Sequence, residues 1–127
     1  MKQKKPSPKA VGKKNLSSQI WDMKYRLKDA DGQPVDATID DTWNRIAASL
    51  ALAEPEESRA DWQKTFKSAL EDYKFLPAGR IMAGAGAGRS VTLFNCLVMG
   101  TIEDHMGGIF ESLKEAALTM QQGGGIG

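Results

Sequence analysis

Cysteine and histidine are almost absent: the 127 residues contain one of each, Cys96 and His105. One cysteine cannot form an internal disulfide, and the pair cannot assemble a Cys/His zinc site. No apolar run approaches the roughly 20 residues that cross a bilayer, and no apolar signal core follows the lysine-rich start. We therefore expect a cytoplasmic protein with no membrane partner and no metal site of its own.

Acidic residues are missing from the first 15 positions, which hold six of the 17 basic residues. The rest of the chain contains the other 11 basic residues and all 16 acidic ones, so it is mildly acidic. Nucleic-acid binding draws much of its affinity from phosphate neutralisation, and an acidic body argues against it. We expect residues 1–15 to be a disordered basic tail and expect no nucleic-acid partner; a tail that contacts RNA or DNA is the alternative.

Alternating hydrophobicity after the tail predicts a half-buried strand from Ile20 to Lys28. The Asp31-Gly32 dipeptide tolerates the positive φ of a tight turn. Residues 33–35 would then return as a short arm, and Pro34 would confine that arm to a sheet edge. The pattern predicts a short β-hairpin.

Helical spacing of apolar residues predicts two helices in the next part of the chain. The first begins at a capping Thr38 and reaches Ala53; the second begins near Pro55 and stops near Phe75. The short connection favours a helical hairpin packed through Trp43 and Trp62. We interpret both tryptophans as core residues; stacking on a cofactor is the alternative.

Glycine is concentrated in residues 76–90, which we expect to form an ordered, irregular loop. Residues 83–90 resemble a Walker A loop with Ala and Arg replacing its first Gly and its Lys. A P-loop opens a helix, whereas residues 91–94 are β-branched and aromatic and predict a strand, so we reject that interpretation. Close approach of a ligand and a sterically crowded turn both remain open explanations of the glycines.

Cys96 lies in the apolar run from Val91 to Met99, which predicts a buried strand. A thiol between two loops is a candidate for redox chemistry; a small core hydrophobe is the alternative. A last helix is predicted to start near Asp104 and to end at the glycines of residues 123–127. Its predicted buried face consists of Met106, Ile109, Phe110, Leu113, Ala117 and Met120.

Four stretches together resemble a known family: QIWDMKYRLK at 19–28, FLPAGRIMAG at 75–84, LFNC at 93–96 and ESLKEAALTMQQGGGIG at 111–127. They resemble the amino-terminal part of adenosylcobalamin-dependent (class II) ribonucleotide reductases. The resemblance implies an α+β fragment. A mostly helical domain with a short β-hairpin would span residues 16–90, and residues 91–127 would supply the first strand and helix of a ten-stranded α/β barrel.

The resemblance also implies roles for particular residues. Cys96 would be one of two thiols that reduce the ribonucleotide, and Asn95 would lie beside the substrate. The backbone of Gly124, Gly125 and Ile126 would border the substrate as well. Asp104 matches an acidic position that binds the specificity effector, whereas His105 departs from the serine-like residue expected beside it.

Partners and cofactor follow from the same resemblance. The complete protein would use adenosylcobalamin, a ribonucleotide substrate, a deoxynucleotide or ATP effector and a thioredoxin-type dithiol reductant, and it would dimerise through the last helix. The radical cysteine and the partner thiol of Cys96 match nothing in these residues. We therefore expect an inactive front end that binds no cofactor alone; a small stand-alone nucleotide-binding or interaction protein is the alternative.

Overall fold

Helices make up most of the regular structure in residues 15–127, the part of the chain that this computed structural model describes. Five α-helices appear in it: α1 Leu16–Lys24, α2 Ile39–Ala51, α3 Arg59–Leu70, α4 Gly79–Gly84 and α5 Met106–Gln121. Short 3-10 turns at Glu56–Ser58 and Glu71–Tyr73 flank α3. Strands β1 (Cys96–Leu97) and β2 (Gly125–Ile126) form a two-stranded sheet. The predicted tail lies outside the described residues except Asn15, which caps α1.

The predicted strand at 20–28 is wrong, because its first half is helix α1. Asn15 accepts a hydrogen bond from the Ser17 amide at 3.2 Å, which satisfies a free donor of the first turn. At the far end Trp21 donates through Nε1 to the Thr42 hydroxyl at 3.0 Å. Trp21 and Tyr25 are four residues apart, so they lie on the same side of the helix and its cap. Because the apolar Met23 lies between them in the chain, the same residues also fit the two-residue spacing of a strand.

The predicted hairpin survives as a turn with one antiparallel bridge, between Lys28 and Pro34. Gly32 has φ 78°, in the left-handed region that favours glycine, as the Asp31-Gly32 dipeptide predicts. The Asp29 carboxylate accepts hydrogen bonds from the amides of Asp31 and Gln33 at 3.0 and 2.8 Å. The turn is therefore held mainly by side-chain hydrogen bonds to Asp29, and not by a series of backbone hydrogen bonds between two strands.

Helices α2 and α3 form the predicted hairpin and pack against each other. Thr38 and Asp41 cap α2 reciprocally, with each side chain bonded to the other's backbone amide. The buried core cluster joins this pair to α4 and consists of Trp43, Ile46, Ala47, Leu70, Met82 and Ala85. The prediction that Trp62 packs on Trp43 is wrong: Trp62 is 42% exposed and stacks on Phe66, while Trp43 meets Tyr73 edge to face.

The predicted loop at 76–90 contains a short helix, α4, whose Met82 is buried. Residues 76–78 and the residues after α4 are irregular, and Gly86 and Gly88 have positive φ. An added Cβ at Gly86 would lie 2.8 Å from Arg45 Cγ, so crowding explains this glycine. No helix follows at residues 90–95, as the rejection of a P-loop requires.

The predicted buried strand at 91–99 is also wrong, because only Cys96 and Leu97 are extended and both are exposed. β1 pairs in parallel with β2 on one edge only, and no second neighbour exists in residues 15–127. Residues are part of a sheet only where a neighbouring strand supplies backbone hydrogen bonds, and β2 supplies them for two residues of β1. The glycines after α5 therefore do more than end the helix, since they supply this partner strand.

Helix α5 occupies the predicted place, with His105 as its N-cap. Its predicted buried face is exposed: Ile109, Phe110 and Leu113 are 48%, 60% and 60% accessible. The half-buried positions are the small or polar Gly108, Ser112, Ala116 and Thr119. Nothing in residues 15–127 covers the apolar stripe. No helix in this part of the chain is long and apolar enough to cross a membrane.

Candidate functional site

The β1–β2 pairing brings together five residues that the sequence singled out. Cys96 lies opposite Gly125 and Leu97 lies opposite Ile126 in the parallel register. The Gly125 amide donates to the carbonyl of Asn95 at 2.8 Å. Thus Asn95 and Cys96 lie next to the Gly124–Ile126 backbone, although the two segments are about 30 positions apart in the chain.

Glycine at position 125 shapes the surroundings of the thiol. An added Cβ there would lie 3.2 Å from Cys96 Sγ and 3.2 Å from the Asn95 carbonyl oxygen. A side chain would crowd the sulfur, which is exposed as it stands. The alternative of Cys96 as a core hydrophobe is therefore wrong for the described residues, and the thiol is open to a ligand.

Gly124 anchors the same strand to α5. It is buried, and an added Cβ would lie 2.7 Å from Leu97 Cδ1 and 3.0 Å from Thr119 Cγ2. Its amide donates to the Thr119 carbonyl at 3.1 Å. The glycines therefore allow β2 to turn back against the last helix and reach Cys96.

Helix α4 connects this site to the helical core, a role that sequence reasoning missed. The Arg80 backbone amide donates to Asn95 Oδ1 at 3.2 Å. The Arg80 guanidinium lies over Gly123, where an added Cβ would be 3.1 Å from Nη1. Arg80 lies in the family-like stretch FLPAGRIMAG at 75–84, but the spacing of residues in that stretch does not predict which residues Arg80 contacts.

The C-terminal end of α4 is held by a buried ion pair that sequence reasoning also missed. Arg45 Nη2 lies 2.9 Å from Asp36 Oδ2, and Thr42 donates to the same oxygen at 2.7 Å. Arg45 also donates to the carbonyls of Ala85 and Met82. Burial alone would raise the pKa of Asp36, but the hydrogen bonds from Arg45, Thr42 and the Leu27 amide together hold it below its ordinary value.

Asp104 does not join the Cys96 surface. It is exposed and precedes α5, whereas β2 follows the other end of that helix. Sixteen residues of α-helix span about 24 Å, so the two ends are well separated. Asp104 and the Cys96 segment are therefore separate places in the fold.

His105, which departs from the serine-like residue of the family, is the N-cap of α5. Its Nδ1 accepts from the Gly108 amide at 3.0 Å, and its Nε2 lies 2.8 Å from Glu103 Oε2. Both ring nitrogens are engaged, so neither is free to ligate a metal. Residues 15–127 contain no group of three or more His, Cys, Asp or Glu side chains that could hold a metal ion.

Comparison with known families assigns the helical part of the chain. Residues 12–90 match the family model described as the ribonucleotide reductase all-alpha domain. This match covers more than half of the 127 residues and contains α1 to α4. The chain belongs to the ribonucleotide reductase all-alpha domain family.

Individual relatives extend the similarity beyond residue 90. A vitamin B12-dependent ribonucleoside-diphosphate reductase of Mycobacterium tuberculosis is 33% identical over 107 residues, which are 82% of this chain and 15% of that protein. A ribonucleoside-diphosphate reductase subunit alpha of Helicobacter pylori is 33% identical over 104 residues, 82% of this chain and 13% of its own length. The corresponding protein of Chlamydia trachomatis is 29% identical over 85 residues, 67% of this chain and 8% of its own. The chain therefore spans less than a sixth of these relatives.

Proposed function

We propose that this chain is the amino-terminal part of a class II reductase, which converts ribonucleotides to deoxyribonucleotides by radical chemistry and depends on adenosylcobalamin. The family match supports the reaction class, and the name of the M. tuberculosis relative supports the cofactor. The family match ends at residue 90, where the proposed helical domain ends. Residues 91–127 would then be the first strand and helix of an α/β barrel that continues in the complete protein.

Cys96 is the proposed reducing thiol, and its exposure beside Gly125 is the observation that carries the assignment. Reduction breaks the bond from C2′ to its hydroxyl oxygen, releases water and forms a C2′–H bond. Two thiols supply the two electrons and two protons and become a disulfide. Cys96 is the one cysteine of the 127 residues, so residues outside them would supply the second thiol. A thioredoxin-type dithiol would then reduce the disulfide for the next turnover.

The residues around Cys96 take the binding roles in this proposal. Asn95 and the backbone of Gly124, Gly125 and Ile126 would border the ribonucleotide, because Asn95 precedes Cys96 and the Gly124–Ile126 segment contains Gly125, which pairs with Cys96. Asp104, at the far end of α5, would bind a deoxynucleotide or ATP effector. The exposed apolar stripe of α5 would form the contact of a homodimer.

The described residues do not fit adenosylcobalamin as a bound group. His105 is the one histidine of the chain, and its ring nitrogens face Glu103 and the Gly108 amide. The cofactor would therefore be held by other parts of the complete protein, where it would supply the radical.

Replacement of the thiol in the complete reductase tests this function. We expect Cys96→Ser to abolish steady-state formation of deoxyribonucleotide while leaving cobalamin binding intact, because an alcohol cannot form the disulfide. The 127-residue chain alone should form no deoxyribonucleotide with cobalamin and dithiol present. Retained turnover by the serine variant would remove Cys96 from the chemistry, and product formed by the short chain would refute the need for a second thiol.

A further inference from the structure

Helix α4 is too short to be stable through its own hydrogen bonds. It has six residues, Gly79–Gly84, whereas isolated helices shorter than about 12 residues are marginal in water. Its N-cap residue, Ala78, makes no side-chain capping bond, and glycine occupies both its first and its last position. The position of α4 therefore depends on the contacts that its two ends make with other parts of the fold.

Arg45 of α2 supplies the contacts at the C-terminal end of α4. Its guanidinium donates to the carbonyl of Met82, at 3.2 Å, and to the carbonyl of Ala85. Carbonyls at the end of a helix lack intrahelical partners, and a cation is favoured at the negative end of the helix dipole. The Asp36 carboxylate, 2.9 Å from Nη2, fixes the guanidinium in turn. The Arg45 side chain is only 9% exposed, so water competes little for these bonds.

The chain leaves α4 directly against Arg45. An added Cβ at Gly86 would lie 2.8 Å from Arg45 Cγ and 3.0 Å from the Arg45 carbonyl oxygen, so a side chain fits only if one of the two segments moves. Gly88 has nearly the same backbone, with φ 67° against 69° at Gly86, but nothing in residues 15–127 lies within 4 Å of its added Cβ. The crowding at Gly86 is therefore specific to the contact with Arg45.

The N-terminal end of α4 holds the segment that precedes the thiol. The Arg80 amide, a free donor of the first turn, donates to Asn95 Oδ1 at 3.2 Å. Asn95 directly precedes Cys96, and its carbonyl accepts the Gly125 amide at 2.8 Å, so this one residue contacts both α4 and β2. Six residues of helix span about 9 Å, so a displacement at the Arg45 end of α4 also moves the end that holds Asn95.

We infer that Arg45 is a positioning residue for the reduction step: it fixes α4, and α4 fixes Asn95 and the Cys96 thiol. This inference rests on the proposed function, because Cys96 is its proposed reducing thiol. Arg45 lies in the helical part of the chain and takes no part in the chemistry itself. A misplacement of reacting groups by about 1 Å costs on the order of a hundredfold in rate. Loss of the Arg45 contacts therefore slows reduction although every reacting group is still present.

Single-turnover reduction by the complete reductase tests this inference with Arg45→Lys. Lysine keeps the charge, but its ammonium lacks the planar fork that reaches the Asp36 carboxylate and two carbonyls together. Prereduced enzyme without a dithiol reductant forms a fixed amount of deoxyribonucleotide, and that amount counts the folded sites. We expect Arg45→Lys to form the same amount as the parent enzyme at a rate lower by about tenfold or more. An unchanged rate, with an equal or a smaller amount, would mean that Arg45 serves folding alone and would overturn the inference.

Arg59→Lys is the matched control. The Arg59 guanidinium also donates to two backbone carbonyls, those of Glu54 at 3.0 Å and Leu52 at 3.4 Å, but both lie just after α2 and neither belongs to α4. This variant should therefore keep the parent single-turnover rate. An equal slowing in Arg59→Lys would show that the effect does not pass through α4, and it too would overturn the inference.

Two glycine variants test the same contact without changing any charge. Gly86→Ala forces a Cβ against Arg45, whereas Gly88→Ala imposes the same backbone strain without that contact. We expect Gly86→Ala to slow the single turnover and Gly88→Ala to leave it at the parent rate. Equal rates in the two glycine variants would contradict a role for the Arg45 contact.

Amide exchange separates this inference from the proposed function, because it needs no turnover. In the complete protein, amides of residues 79–84 should exchange faster in Arg45→Lys than in the parent or in Arg59→Lys, since local opening is easier where contacts are lost. If they exchange at the parent rate while Cys96→Ser abolishes reduction, only the positioning role fails. If they exchange faster but Cys96→Ser turns over normally, the proposed function fails and the hold of Arg45 on α4 stands.

Discussion

The helical body, residues 16–85, and the C-terminal segment, residues 91–127, both contain helices with an apolar stripe, but only the body buries its stripe. Ile46 and Trp43 of α2 are 0% and 3% exposed, whereas Phe110 and Leu113 of α5 are both 60% exposed. In the body α2 packs on α3 and on α4, while α5 contacts mainly the two-residue strand β2. Hydrophobic stabilisation grows with the apolar area removed from water, so it should be concentrated in the body.

Polar contacts follow the same division. The body contains a buried ion pair, between Asp36 and Arg45, that joins four segments through the carbonyls of Tyr25, Met82 and Ala85. The ion pair on α5, between Lys114 and Glu111, is exposed. Buried pairs are costly to break and exposed pairs contribute little, so side-chain charge should matter for folding mainly in the body.

Amide exchange should show the largest difference between the two regions. We expect amides of residues 43–70 to exchange at least about a hundredfold more slowly than those of α5, because local opening is easiest where few apolar contacts are buried. Mass spectrometry on a sample shown to be monomeric measures this directly. Equal protection in both regions would show that the C-terminal segment is stable without a covering partner.

Removal of the buried carboxylate should be the most damaging single change in the body. Asp36→Ala leaves the Arg45 guanidinium buried without its counter-ion, and we expect a loss of about 3–5 kcal/mol in the free energy of unfolding. Urea denaturation measures the loss. Asp61→Ala, which breaks the exposed pair with Lys64, is the control and should change stability by less than about 1 kcal/mol. Similar effects in both variants would contradict the distinction.

The Asp36 carboxyl should also make the body sensitive to acid. Its pKa in the fold lies below the ordinary value of 3.8, so its ionised form is favoured by folding. This contribution to stability is fully present above pH 3.8 and is lost as the pH falls below that value through the lowered pKa. Urea midpoints measured across this range should fall for the parent protein, and Asp36→Ala should lack this component. An unchanged acid dependence in that variant would assign the effect to other groups.

A matched pair of isoleucines should give the smallest difference. Ile46→Val removes a methylene from a fully buried side chain and should cost about 0.5–1.5 kcal/mol. Ile109→Val makes the same change on α5, where the side chain is 48% exposed, and should cost less than about 0.5 kcal/mol. The same urea titration compares them. A larger cost at Ile109 would mean that the stripe of α5 is covered in solution.

Local chemistry explains which elements could be predicted. Thr38 and Asp41 cap α2 through contacts three residues apart, and Gly32 allows its turn through its own backbone. The start of α5 beside Asp104 follows from equally local signals. Such features depend on neighbours in the chain, so the sequence predicted them nearly to the residue.

Long-range contacts explain the failures. Trp21 lies in helix α1 and Tyr25 caps its C-terminal end because Trp21 bonds to Thr42, 21 residues away, and Tyr25 packs on the core. The apolar and polar alternation of residues 20–28, which predicted a strand, carries no information about these distant contacts. Likewise Arg80 looked like part of a glycine-rich loop, and only the folded chain places it in α4 beside Asn95.

The sequence by itself determined the Thr38 cap of α2, the turn at Gly32, the helical pair and the match of residues 12–90 to the family. The tertiary structure decided which apolar stripes are buried, how long the strands are and that Gly125 lies opposite Cys96. The physical reason is the range of the forces involved. Capping and turn formation are satisfied within a few residues, whereas burial and strand pairing exist only when segments distant in the chain meet.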